Sequence, residues 1–121
     1  MRIYLDESQF EKDNLIKHFN KHKSEYITDP RFANVNNEEE FRQLYNKIAD
    51  ELSRKHVSKS DSTDQYVGYI DKKGRYIKYD RVNYDLIIYI KDISVSMYKI
   101  DGKRYDIIKS RDFKKEFWYN R

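Results

Sequence analysis

Apolar positions along the chain change their spacing once, and the change divides the predicted architecture in two. Through the first half they recur every three or four residues, the period of a helix with one buried face. Ser8-Gln9-Phe10-Glu11 has the capping-box form, with Ser at the cap and Glu three residues on. Phe10, Leu15, Ile16 and Phe19 supply the stripe, and Lys21-His22-Lys23 gives the basic end that suits a helix C-terminus. Residues 24–36 read as a connection, because the Asp29-Pro30 step is hard for a helix to cross. A second helix is predicted from Asn37, with Glu38, Glu39 and Glu40 in its first turn and Phe41, Leu44, Tyr45, Ile48 and Leu52 along one side. It runs out before Ser58-Lys59-Ser60-Asp61-Ser62-Thr63-Asp64, whose side chains compete for backbone hydrogen bonds.

Beyond that loop the runs are short and β-type: Tyr66 to Ile70, Tyr76 to Tyr79, Tyr84 to Ile90, Ile93 to Ile100 and Tyr105 to Ile108. Lys73-Gly74, Arg81-Val82-Asn83, Lys91-Asp92 and Asp101-Gly102 separate them as tight turns, and Asp101-Gly102 is the strongest hairpin signal. Tyr84 to Ile90 is nearly all apolar and is expected as a central strand. The expected fold class is α+β: two N-terminal helices packed on one face of a four- to five-stranded antiparallel meander sheet. One domain is expected over residues 1–121, with a helical part at about 8–56, the meander at about 66–109 and a basic aromatic segment at 110–121.

Composition changes this picture in two ways. Mean hydropathy of −1.07 and 38% charged residues would suit a disordered chain, but twelve Tyr, six Phe and one Trp supply large rings for a core. The absence of cysteine excludes disulfides, thiolate nucleophiles and zinc ribbons. No run of about 18 apolar residues predicts a membrane span, and the first residues lack the apolar stretch of a secretory signal. The expectation is a cytoplasmic chain with no membrane partner. No phosphate-loop, dinucleotide, EF-hand or HExxH fingerprint occurs, and no cofactor is expected.

Charge is unevenly placed. Residues 1–102 hold eighteen basic and eighteen acidic groups, so the net +4 belongs to residues 103–121. There Lys103, Arg104, Lys109, Arg111, Lys114, Lys115 and Arg121 alternate with Phe113, Phe117, Trp118 and Tyr119. Such a segment suits phosphate contacts beside base stacking, and it equally suits a last element that docks its rings and solvates its lysines.

Two stretches carry a family resemblance. They are Leu15 to His22, with its His18…Lys21-His22 pattern, and Glu40 to Ala49. A meander follows that reads Ile77-Lys78-Tyr79-Asp80, then Tyr84 to Ile90, then Val95-Ser96-Met97-Tyr98-Lys99. In this order they resemble the barnase–EndoU–colicin–RelE (BECR) type ribonuclease domains of bacterial polymorphic and contact-dependent toxins and phage proteins. The resemblance spans about Leu15 to Tyr105. Ser96 stands where the group usually has Thr, and Asp101-Gly102 follows where Pro is common. It implies metal-independent cleavage of tRNA or mRNA by acid–base transesterification, with RNA as partner and an acidic immunity or antitoxin protein beside it. A start at its own Met suits a free-standing or phage-borne enzyme.

Such cleavage needs a base for the 2′-hydroxyl, an acid for the leaving 5′-oxygen and cations for the phosphate. His18 and His22, four apart, share a helix face, and Lys17 and Lys21 precede them. With the helix packed as the resemblance implies, Ser96, Tyr98 and Lys99 approach from the sheet. The expected catalytic residues are thus His22, His18, Ser96 and Tyr98, with substrate held by Lys17, Lys21, Lys99, Arg75 and Arg111. No metal set is expected, because no Cys or well-placed Asp joins the His pair. The plain readings stay open: a His pair favouring the helix dipole, and Arg75 and Lys78 guarding a sheet edge. The alternative function is a non-catalytic inhibitor of phage or mobile-element type, gripping a host protein or nucleic-acid complex through a charged, tyrosine-rich surface.

Overall fold

A computed structural model describes residues 20–90 and 94–116. Residues 20–22 are helical and lead into a 3-10 turn, Lys23–Tyr26, with a second at Pro30–Phe32. Helix α1 spans Glu38–Ser53 and helix α2 Gly102–Asp112. The strands are β1 Ser58–Lys59, β2 Tyr66–Asp71, β3 Tyr76–Asp80, β4 Asp85–Ile90, β5 Ser94–Lys99 and β6 Phe113–Lys115. The fold class is α+β. Phe10, Leu15, Ile16 and Phe19 of the first predicted helix lie outside the described residues, as do Lys91-Asp92 and Phe117 to Tyr119.

Helix α1 forms where its pattern predicts. The Asn37 side chain accepts from the Glu40 amide at 2.9 Å, and Glu40 accepts from the Asn36 amide at 3.0 Å, a reciprocal cap. Tyr45, Ile48, Ala49 and Leu52 are buried along one side, against Ile87, Tyr89 and Met97 of the sheet. The predicted turn at Lys73-Gly74 is also present, with Gly74 at φ 80° in the left-handed region that glycine reaches without penalty.

Three expectations are corrected. Asp101-Gly102 is no hairpin turn: the Asp101 side chain accepts from the Arg104 amide at 2.7 Å and caps α2, so Tyr105 to Ile108 are helical. The described helices are not both N-terminal, since α2 follows five of the strands. Helix α2 sends buried Tyr105 onto the opposite side of the sheet, among Val67, Tyr69, Ile77, Tyr79 and Leu86. Nor is the sheet purely antiparallel. Its order is β1-β2-β3-β4-β5, with β1 parallel to β2 and β6 pairing antiparallel to the far end of the same β2 edge. The Glu116 carboxylate accepts from the amide and hydroxyl of Ser60 at 3.0 and 3.1 Å, tying that short-stranded edge together.

Two covered faces explain the apolar run of β4. Leu86 and Ile88 meet the α2 side while Ile87 and Tyr89 meet the α1 side. Tyrosine does much of the filling. Tyr26, Tyr45, Tyr69, Tyr79 and Tyr105 are all under 2% exposed, and Tyr79 stacks on Tyr105 with centroids 4.6 Å apart. Phenols reach backbone acceptors where they can: Tyr45 donates to Met97 O at 2.5 Å and Tyr79 to Ile100 O at 2.8 Å.

Lys78 is not an edge guard. It lies on internal strand β3, 3% exposed, and its ammonium donates to Ser53 O and Lys55 O, both at 2.7 Å. It closes the C-terminus of α1 from beneath, where the helix dipole favours a cation.

Burial pulls the Lys78 amine down to about 8 from its ordinary 10.5. Between those values the unfolded chain binds the extra proton, so stability should rise with pH across that window, by up to about 3 kcal/mol. The buried tyrosines act with the opposite sign. Burial holds their phenols above the ordinary 10.0, so their contribution is complete below pH 10 and is lost as pH climbs further. Urea denaturation across pH 7–11 is expected to show stability climbing from about pH 8 and turning down above about pH 10. Lys78→Met should flatten the climb and leave the downturn in place.

Candidate functional site

The segment after residue 22 wraps the β5 edge of the sheet, and a buried ion cluster holds it there. Asp29 caps the second 3-10 turn, its carboxylate accepting the Arg31 amide at 2.8 Å. The Arg31 guanidinium grips Asp29 at 2.7 Å and reaches Asp85, the first residue of β4, at 2.8 Å. Lys99, across the ladder from Asp85, donates to Asp29 at 2.6 Å and lies 3.4 Å from Asp85. Both carboxylates are nearly inaccessible, 3% and 1% exposed. Burial pushes the Asp85 carboxyl up, with Arg31 and Lys99 opposing. Asp29 is also desolvated, but hydrogen bonds from Arg31 and Lys99 hold it well below the usual carboxylate range.

This anchor sets His22 over β5. Its ring stacks on Tyr98 with centroids 5.2 Å apart and planes 24° from parallel. Glu25, three residues on, accepts from or pairs with His22 Nδ1 at 2.7 Å, and its other oxygen accepts the Lys99 amide at 2.9 Å. One carboxylate thus covers part of an edge strand and orients the imidazole. The His22 side chain is 13% exposed, in reach of a ligand without being sealed in the core.

Burial raises the Tyr98 phenol above its ordinary value, while Arg75, Arg104 and Arg111 act to lower it and Glu25 to raise it. The phenol therefore stays protonated at neutral pH, with the charge of three arginines acting on it. Arg75 is oriented by Asp71, which accepts its amide at 2.8 Å and its Nε at 2.9 Å. Arg104 and Arg111 are exposed on α2.

The sequence-predicted residues divide accordingly. His22 and Tyr98 come together, and Arg75 and Arg111 act on the Tyr98 phenol only through the electrostatics that lower its pKa. Ser96 lies two residues before Tyr98 on the same face of β5, half-buried and opposite Ile88. Lys21 is exposed at the helical end. Lys99 is drawn to the other face by Asp29 and Asp85. His18 and Lys17 lie outside the described residues. Two participants were not foreseen. Glu25 was signalled only by its spacing of three from His22, and Arg104 was hidden by reading its segment as a strand. His56 is exposed beyond α1, and among the described residues no three His, Asp or Glu side chains converge as metal ligands.

The ion cluster is open to test. Lys99→Met leaves two enclosed carboxylates facing one guanidinium and should cost about 3 kcal/mol in urea denaturation, since breaking a buried pair strands a charge. Lys23→Met removes an exposed pair with Glu38 and should cost under about 0.5 kcal/mol. Among known proteins, no family model matches the chain, and neither the curated proteins nor the solved structures provide a match.

Proposed function

We propose that the chain is a small metal-independent ribonuclease, toxin-like or phage-borne, that cleaves tRNA or mRNA by acid–base transesterification. The observation that carries this reading is the His22–Tyr98 stack, with Glu25 on the imidazole and the positive charge of three arginines felt at the phenol. The BECR resemblance of the sequence points the same way.

In this reading a phosphodiester sits between His22 and the arginines. The imidazole removes the proton of the 2′-hydroxyl, and the new O2′–P bond forms as the P–O5′ bond breaks. Glu25 stabilises the imidazolium that results. Arg75, Arg104 and Arg111 stabilise the negative charge that grows on the non-bridging oxygens. Tyr98, kept protonated by burial, gives its proton to the departing 5′-oxygen. The products are a 2′,3′-cyclic phosphate and a 5′-hydroxyl, and the imidazolium returns its proton to the phenolate through solvent. Ser96 and Lys21 flank the site as further phosphate contacts. An acidic immunity or antitoxin protein would fit over the same cationic surface.

The second reading is a non-catalytic inhibitor that binds a host protein. Exposed Ile27 and Val82, 62% and 64% accessible, favour it as apolar contact points.

Incubation of total RNA with the purified chain in EDTA separates the two. The expected outcome is discrete fragments ending in 2′,3′-cyclic phosphate. His22→Ala and Tyr98→Phe, each folded by circular dichroism, should be slower by about a hundredfold or more. Intact RNA with the wild-type chain would leave the binding reading in its place.

A further inference from the structure

Strand β3 turns into β4 through the four residues Arg81 to Tyr84, and the last of them is out of keeping with its backbone. Tyr84 has φ 65°, the left-handed region where hairpin loops place glycine or asparagine. Its ring does not recover that strain by burial, because the residue is 51% exposed. Such strain persists only where the surroundings over-determine it, and here they do. Buried Asp80 accepts the amides of Val82 and Asn83 at 2.9 and 3.1 Å and the Asn83 side chain at 2.8 Å. Lys99 donates to Asn83 O at 2.5 Å, Tyr84 N donates to Asp80 O at 2.8 Å, and Ile100 N donates to Tyr84 O at 3.0 Å.

The ring so held lines a groove of about 780 Å³. Val82 and Ile100 give it apolar wall, the Asp29–Lys99 pair gives it a rigid floor, and Glu25, Asp101 and Arg104 stand along it. Glu25 also holds His22, and Arg104 acts electrostatically on Tyr98, so the groove shares these two residues with the His22–Tyr98 site.

We propose that this groove is a nucleobase subsite, with the Tyr84 ring as the platform on which a base of the bound RNA stacks. A rigid, half-exposed aromatic ring beside phosphate-binding cations is the pairing that single-stranded nucleic acid requires. The strain at Tyr84 is consistent with this, since a glycine at that position would hold the turn as well and would present no ring. The inference takes the phosphate position from the proposed ribonuclease site, but it needs binding alone and no turnover.

The test is fluorescence anisotropy with a short labelled 2′-O-methyl oligoribonucleotide, which has no nucleophile and stays intact on the wild-type chain. Tyr84→Gly should weaken binding about tenfold without lowering Tm, because it removes stacking and relieves the backbone. Tyr84→Phe should bind like the wild type. A strand of the same length without bases should bind both the wild-type chain and Tyr84→Gly equally. Equal affinity of wild type and Tyr84→Gly for the full strand would overturn the proposal, as would no RNA binding at all, which hands the groove to a protein partner. Tyr84-dependent binding without RNA cleavage keeps the subsite and removes the ribonuclease. Cleavage with Tyr84-independent binding does the reverse.

Discussion

Everything placed at the β5 edge depends on four charges enclosed between the sheet and the segment that wraps it. Asp29 and Arg31 come from a 3-10 stretch, Asp85 and Lys99 from facing positions on two strands. None could be buried alone, because an unpaired ion in that setting is costlier than any packing its stem provides. Together they admit one arrangement, in which residues 23–32 cross the sheet edge with Tyr26 on one side and His22 on the other. A hydrophobic patch would have held the segment as well and would have allowed it to slide. Charges with fixed partners set its register.

The same economy of apolar residues shapes the core. With few aliphatic side chains, the sheet is covered by tyrosines whose rings bury area and whose hydroxyls need acceptors. Tyr45 and Tyr79 find theirs at the carbonyls of Met97 and Ile100, at either end of the run that carries Tyr98. Lys78 does for α1 what these phenols do for β5, satisfying carbonyls that a shorter or apolar side chain would leave buried and unpaired. Polar atoms inside this fold are therefore part of what fixes it, with Tyr45, Tyr79 and Lys78 anchored on backbone carbonyls.

Local patterns in the sequence were legible where one element decides its own form. Helix α1, the Lys73-Gly74 turn and the internal position of β4, between β3 and β5, needed only period, caps and turn chemistry. Asp101-Gly102 misled because Asp before Gly serves a hairpin and a helix cap alike, and the choice is made by Tyr105 finding the ring of Tyr79. The continuous apolar run of β4 was in fact the sign of two covered faces. That reading requires a second helix, and the second helix was the segment assigned to a strand. At the site, His22 and Tyr98 could be named from residue type and order. Glu25, Arg104 and the loss of Lys99 to an ion cluster could not, since they follow from the crossing of an edge that no local pattern encodes.

Glu25 shows how closely stability and chemistry are joined here. Its carboxylate accepts an amide of the edge strand with one oxygen and engages the imidazole with the other, while standing beside the groove under Tyr84. A neutral amide at that position could still accept from the Lys99 backbone, but it would bring no charge to its contact with the imidazole. Charge is thus what Glu25 brings to the imidazole, and hydrogen bonding is what it brings to the edge. The two demands are separable in principle, yet one side chain meets both because the ion cluster brings strand, turn and groove to the same point. Displacement of that cluster would therefore disturb the His22 orientation, the edge and the floor of the groove at once, in proportion to how far residues 23–32 moved.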